Sequence, residues 1–147
     1  IGPNAGVIFA AVVARSSTLT SLNLERNQLG AAGGVPIFDS LLDNIGLTSL
    51  DVSGNKLGPR VVPSLMELFE KNTTLANMDL SNNELGSESF KQNVELAKAF
   101  GKNKGLVFLN LDSNRLGRKA GHQIARSLVK NEFARFNNVV VVPCVHV

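Results

Sequence analysis

The chain has 147 residues, of which 44% are hydrophobic, and this length and composition suit a single domain with a buried core. No apolar run approaches the roughly 20 residues of a membrane-spanning helix, and a lone cysteine, Cys144, excludes an internal disulfide and favours a reducing, cytoplasmic location. The net charge of +3 is uneven: residues 1–85 carry −3 and residues 86–147 carry +6. The basic half therefore either meets an anionic partner or is a lysine-rich helix surface.

A twelve-residue pattern recurs four times along the chain. Each copy has apolar residues at its first, fourth and sixth positions, an asparagine three residues later, and then a leucine-glycine pair. The copies start at Leu19, Leu47, Leu75 and Leu106, and their second apolar residues lie 28, 28 and 31 residues apart. A period of this length indicates stacked structural units, each of which covers the apolar side of its neighbour.

Within each copy the pattern predicts a short strand, a turn and then a helix. The alternating apolar residues predict the strand, and the apolar spacing after the glycine predicts the helix. The asparagine amide can both donate and accept hydrogen bonds where the chain leaves the strand. Stacking of the copies then predicts a structural asparagine ladder, formed by Asn27, Asn55, Asn83 and Asn114.

The two ends of the chain follow the pattern less closely. The pattern in residues 1–18 predicts a partial repeat that starts at its turn. No polar cap is found before it, and we therefore expect the chain to be a fragment of a longer array. Residues 136–144 predict either a degenerate fifth strand or a frayed tail, with Phe136, Val139, Val141 and Cys144 at the repeat positions. A fifth strand and uncapped ends would leave edges suited to self-association.

The repeats resemble those of leucine-rich repeat proteins, written L-x-x-L-x-L-x-x-N-x-L-G and joined by a helix. The resemblance runs from Ile1 to about Lys130 and is best to the helix-containing, ribonuclease-inhibitor-like class; Met78 departs from it by replacing a leucine. It implies one α/β domain over residues 1–147, a right-handed solenoid with parallel strands on the concave side and helices on the convex side. It also implies that a protein partner is bound through the concave sheet.

The residues between the core leucines are predicted to face the concave side in rows. Neighbouring strands are about 4.8 Å apart, so Asp51 and Asp79 would repel each other, and a basic partner could relieve this repulsion. Alternatively, these small polar residues only solvate the sheet. Phe108 either anchors a partner or packs against its neighbours. The rows are Ser21, Ser49, Asn77 and Phe108; Asn23, Asp51, Asp79 and Asn110; and Glu25, Ser53, Ser81 and Asp112.

Catalytic and metal sites are not expected in this sequence. No histidine lies near Asp51 or Asp79 in the sequence, and His122 and His146 do not have the spacing of metal ligands. We therefore predict a non-enzymatic interaction scaffold without metal, cofactor, nucleic acid or membrane partner. Two alternatives are a regulator of the GTPase-activator type, acting through a rim segment at residues 25–30, and a structural component of a larger assembly.

Overall fold

Short strands alternate with helices along the computed structural model, which describes residues 2–86, 90–131 and 140–142. None of the helices in these ranges combines the length and the apolar character needed to cross a membrane. The elements in chain order are α1 (Pro3–Arg15), β1 (Ser21–Asn23), α2 (Gly30–Ser40), β2 (Ser49–Asp51), a 3-10 turn (Pro59–Val61) that leads into α3 (Val62–Lys71), β3 (Asn77–Asp79), α4 (Phe90–Phe100), β4 (Phe108–Asn110), α5 (Arg118–Lys130) and β5 (Val140–Val142).

The five strands form one parallel sheet in the order of the sequence, from β1 to β5. Leu50 lies opposite Leu22 on one side and Met78 on the other, and Met78 lies opposite Leu109. Equivalent apolar residues of successive repeats therefore form one continuous row. This register confirms the predicted parallel, repeated α/β architecture.

The hydrophobic core lies between this row of strand residues and the layer of helices. Leu50, Met78 and Leu109 are buried in one cluster with the inward faces of α2, α3, α4 and α5. Phe69 of α3 and Phe100 of α4 pack edge to face, with ring centroids 6.0 Å apart. Successive helices are in contact with one another. Each repeat thus covers the apolar side of the next, as the spacing of the leucines requires.

The fifth strand pairs with β4 in a register that differs from the predicted one. Val141 lies opposite Leu109, whereas the sequence pattern placed Val139 there, so that alignment was wrong by two residues. A shift of two residues leaves the alternation of the strand faces unchanged, and the pattern could not separate the two registers. Phe136, Val139 and Cys144 lie outside the described residues.

The glycine that precedes each helix is needed for two different reasons. Gly30, Gly58 and Gly117 have φ angles of 57°, 68° and 80°, in the left-handed region that favours glycine. Gly86 does not, but a side chain there would collide with the backbone carbonyl of Arg115 in the next repeat. Gly30, Gly58 and Gly117 are therefore needed for their backbone conformation. Gly86 is needed because the backbone of the next repeat approaches it closely.

Candidate functional site

The turn after each strand is held by the asparagine of the following repeat. Asn83 is fully buried, and its Oδ1 accepts hydrogen bonds from the N–H groups of Asn55 at 2.9 Å and Leu57 at 3.5 Å. Its Nδ2 donates to the carbonyls of Val52 at 2.9 Å and Leu80 at 3.0 Å. Asn55 and Asn114 repeat this arrangement, each bonding to the turn of the repeat before it. These asparagines therefore fix the turns along one edge of the sheet.

The same turns carry residues other than glycine in the left-handed region. Arg26 and Gln28 have φ angles of 55° and 57°, and they flank Asn27. Lys56, Asn82, Glu84, Ser113 and Arg115 have φ angles of 55° to 56°. Each such residue costs about 1–2 kcal/mol, and the bonds of the asparagine ladder offset this cost. Six of these seven residues are exposed along a rim beside the sheet, and Ser113 is half-buried.

The two aspartates of the predicted acidic pair are bonded on both carboxylate oxygens. Oδ1 of Asp51 accepts hydrogen bonds from the backbone N–H of Ser53 at 2.9 Å and from its hydroxyl at 2.7 Å. Oδ1 of Asp79 accepts the equivalent bonds from Ser81, at 2.8 and 2.7 Å. These bonds hold each carboxylate at the end of its strand, on the exposed side of the sheet.

The second carboxylate oxygens bond to neutral residues on the outer side of the pair. Oδ2 of Asp79 accepts from Nδ2 of Asn110 on β4 at 2.9 Å, and Oδ2 of Asp51 accepts a longer bond, 3.5 Å, from Nδ2 of Asn23 on β1. Each aspartate thus bonds away from the other. The flanking asparagines already offset part of the expected repulsion, and the expectation of a basic partner stays a prediction. A cation would add to this arrangement.

The exposure of the predicted partner-binding residues falls into three groups. Ser53 and Ser81 are buried, with exposed fractions of 8% and 7%, because their hydroxyls turn towards the aspartates. They therefore support the acidic pair and do not offer contact area of their own. The half-buried residues are Ser49, Asp51, Asp79, Phe108, Asn110 and Asp112, and the exposed ones are Ser21, Asn23, Glu25 and Asn77.

A polar cavity of about 580 Å³ lies over the acidic pair, where the sheet meets the rim. Among the described residues, Arg26 is the one cation that lines it, and its Nε lies 3.2 Å from a carboxylate oxygen of Glu25. The cavity therefore presents three carboxylates and one cation. Its lining residues are Glu25, Arg26, Asp51, Ser53, Gly54, Asp79, Ser81 and Asn82. We call these residues, together with the exposed rows of the strands, the sheet face.

Phe108 lies at the other side of the sheet face, in the row of Ser21, Ser49 and Asn77. It is opposite Asn77 on β3 and is half-buried, so part of its ring is open to solvent. Asp112 follows the same strand, and its Oδ2 accepts a hydrogen bond from the Ser113 hydroxyl at 3.0 Å. The β4 end of the sheet face thus combines an apolar ring with a carboxylate.

Within the described part of the chain, no histidine or cysteine side chain joins the carboxylates of the sheet face. His122 is exposed on α5, on the helix side of the molecule, and His146 and Cys144 lie outside the described residues. Within the described ranges, no three His, Cys, Asp or Glu side chains come together as metal ligands would.

The fold and the repeats match known proteins. A family model described as a leucine-rich repeat matches residues 15–38 and 44–60. The chain has a leucine-rich repeat fold. Its structure is similar to the C-terminal domain of tropomodulin from Caenorhabditis elegans, with a TM-score of 0.75 and 12% identity over 97% of this chain and 82% of that one.

A second similar structure is that of actin-binding site 2 of leiomodin-1. It has a TM-score of 0.72 and 20% identity, over 94% of this chain and 80% of that one. At these identities the likenesses define the leucine-rich repeat fold of the chain. A comparison with curated protein sequences gave no match.

A second asparagine ladder in this leucine-rich repeat fold was missed from the sequence. Asn72 ends α3; its Oδ1 accepts from the N–H of Leu75 at 2.8 Å, and its Nδ2 donates to the carbonyl of Leu41 at 2.8 Å in the repeat before. Asn44, Asn103 and Asn131 follow the same plan at spacings of 28, 31 and 28 residues. The spacing repeats that of the first ladder and was the signal available in the sequence.

Proposed function

We propose that this chain is a non-catalytic scaffold that holds a protein partner, basic at its contact surface, on the sheet face. The observation that carries the proposal is the acidic pair in the polar cavity. Asp51 and Asp79 are held by bonds from their own turns, so they need not rearrange when a partner arrives. Groups that are already ordered lose little conformational entropy on binding.

The charges around the cavity favour a lysine or arginine side chain as the group that enters it. Glu25, Asp51 and Asp79 contribute three carboxylates, and Arg26 is already engaged by Glu25. A cation that lies between the two aspartates would meet both carboxylates in a partly enclosed space, where charge pairs are less screened than on an open surface. Complementary charge of this kind sets the choice of partner and speeds encounter.

Phe108 supplies the apolar part of the proposed surface. Partly exposed aromatic rings are common anchors in protein interfaces, and this ring lies in a row of small polar residues on neighbouring strands. A partner segment that runs across the strands would meet the acidic pair and the ring in turn. Actin is one partner to test, because the leiomodin-1 structure with this fold is an actin-binding site.

The test is a double variant, Asp51→Asn with Asp79→Asn. Asparagine keeps the oxygen that each turn needs: at the equivalent places Oδ1 of Asn23 accepts from Glu25 N–H at 2.9 Å, and Oδ1 of Asn110 accepts from Asp112 N–H at 3.0 Å. The fold is therefore expected to stay intact while two charges are lost. Affinity for a lysine-rich peptide, measured by calorimetry, is expected to fall about tenfold or more. Cosedimentation with actin filaments tests that partner.

The matched control removes two carboxylates from the helix side, by Asp39→Asn with Asp43→Asn. Both are exposed on and just after α2, away from the sheet face. An equal loss of affinity in the control would mean that net charge, and not the sheet face, governs binding, and the proposal would fail. Loss of stimulated GTP hydrolysis on changes in residues 25–30, with peptide binding unchanged, would favour the regulatory alternative. If neither the sheet-face variant nor the changes in residues 25–30 have an effect, a structural role in a larger assembly is favoured.

A further inference from the structure

Two positions of every repeat stay exposed on the helix side, four residues apart near the end of each helix. The helices α2, α3 and α4 each have a repeat on both sides, and these two positions are exposed in all three. Their exposure therefore follows from the geometry of the repeat and not from proximity to a chain end. The pairs are Ala11 and Arg15, Asp39 and Asp43, Glu67 and Lys71, Lys98 and Lys102, and Arg126 and Lys130.

The charge of these positions changes from α2 to α5. At α2 both are aspartates, Asp39 within the helix and Asp43 just after it, and on α3 Lys71 is paired with Glu67 at 2.6 Å. Lys98 of α4 is paired with Glu95 at 2.7 Å, and Lys102, just after α4, is paired with Glu70 at 2.7 Å. We call the two exposed positions of each repeat its ridge. The ridge of α2 is thus acidic, and those of α3 and α4 are neutralised by ion pairs, whereas the ridge of α5 is basic.

Several exposed basic residues of α5 differ from the paired lysines of the two preceding repeats. Within the part of the chain that the structure describes, no carboxylate lies at ion-pair distance from Arg118, Arg126 or Lys130. The helix contains no Asp or Glu between its first and last residues. Arg118, His122, Arg126 and Lys130 are all exposed and four residues apart. We call these four residues the basic row.

We propose that the basic row docks an acidic segment of a partner protein, at a site separate from the sheet face. With a rise of 1.5 Å per residue, the basic row extends for about 18 Å with a basic group about every 6 Å. A partner helix with a glutamate at every fourth residue repeats at the same distance. Matched rows of opposite charge give specificity as well as attraction.

The surroundings of the basic row favour one segment over a broad anionic surface. Lys98 and Lys102, at the equivalent positions of the neighbouring repeat, are already paired with Glu95 and Glu70. Further along the same side, Asp39 and Asp43 of α2 would repel a membrane or a polyanion that lay across several helices. An acidic helix on α5 alone meets cations and avoids these aspartates.

The experiment measures binding of an alanine-based helical peptide with glutamate at every fourth residue, by fluorescence anisotropy at low and physiological salt. Arg126→Gln with Lys130→Gln removes half of the basic row, and glutamine is a good helix former, so circular dichroism should be unchanged. We expect the affinity to fall about tenfold. Lys71→Gln with Lys98→Gln is the control: it also removes two exposed ridge cations, but these are paired, and we expect less than about a twofold change.

Three results would overturn the proposal. One is an equal loss of affinity in the control variant, which would make net charge responsible. Another is equal binding of a scrambled peptide of the same composition, because spacing would then not matter. The third is stronger binding to vesicles of equal parts phosphatidylserine and phosphatidylcholine than to the peptide, which would make a lipid surface the occupant. The sheet-face variant with Asp51 and Asp79 replaced should bind this acidic peptide at least as well, so the two proposals can fail independently.

Discussion

The buried half and the exposed half of each repeat follow different rules. Asn55, Asn83 and Asn114 are the same residue in three successive repeats, all without exposed surface. The first ridge position on the helix side instead differs in four successive repeats, as Asp39, Glu67, Lys98 and Arg126. Buried positions must satisfy identical backbone groups each time, whereas exposed positions are free to differ. Repetition in this chain therefore marks structure, and variation between repeats marks the exposed surfaces on which the two binding proposals rest.

The strongest test of this comparison is Asn83→Ala. The substitution leaves the N–H groups of Asn55 and Leu57 without their acceptor in a buried turn, as well as the carbonyls that Asn83 bonds. Each buried polar group left unpaired costs about 1–3 kcal/mol, so we expect the free energy of unfolding to fall by about 2–4 kcal/mol. Urea denaturation followed by circular dichroism measures it.

Asn27→Ala is the matched control for that substitution. Asn27 occupies the same place in its repeat but is half-buried, beside the edge strand β1. Water can replace part of its bonding, and we expect a loss of about 1 kcal/mol or less. Equal losses at the two positions would contradict the view that burial, and not position in the repeat, sets the value of the asparagine.

Two glycine substitutions are expected to change the stability by smaller amounts and in opposite directions. Gly86→Ala places a methyl group against the backbone of Arg115 and Asn114, and we expect a loss of about 1–3 kcal/mol. Gly121→Ala, within α5, meets nothing within 4 Å and should stabilise the protein by about 0.5–1 kcal/mol. Thermal unfolding of the two variants measures both. A gain at Gly86 would show that the close approach between the repeats can relax.

The smallest expected effect concerns an exposed ion pair. The pKa of Glu95 lies below its usual range because its carboxylate accepts a hydrogen bond from Lys98. Lys98→Gln should therefore raise the pKa of Glu95 towards the usual value, as measured by NMR titration. The stabilisation from a lowered carboxyl pKa is present above the ordinary glutamate pKa, about 4.3, and is lost as the pH falls below it. An unchanged pKa would mean that this pair is not formed in solution.

The periodic part of the structure could be predicted, because one side chain is required at one place in every repeat. The row of Leu22, Leu50, Met78 and Leu109 follows from their spacing, and the spacing of Asn27, Asn55, Asn83 and Asn114 places them at equivalent turns. The second ladder had the same periodicity in the sequence. It was missed because an asparagine after a helix is also what an ordinary polar turn contains.

The details of the sheet face could not be predicted from periodicity. The orientation of the two aspartates depends on bonds to Asn23 and Asn110, two residues that are asparagine only at the outer places of that row. The burial of Ser53 and Ser81 follows from the bonds that their hydroxyls donate to the same two aspartates. The register of β5 was open to a shift of two residues, which its alternating pattern cannot detect.

The asparagine bonds between repeats run in one direction. Asn55 and Asn83 serve the turn of the preceding repeat, and Asn72 and Asn103 serve the end of the preceding helix. The buried backbone groups of a repeat that emerges from the ribosome therefore lack their hydrogen-bond partners until the next repeat has also emerged. The chain should acquire protection against hydrogen exchange one repeat behind synthesis, and deletions from its carboxyl end should disturb the remaining repeats more than deletions from its amino end.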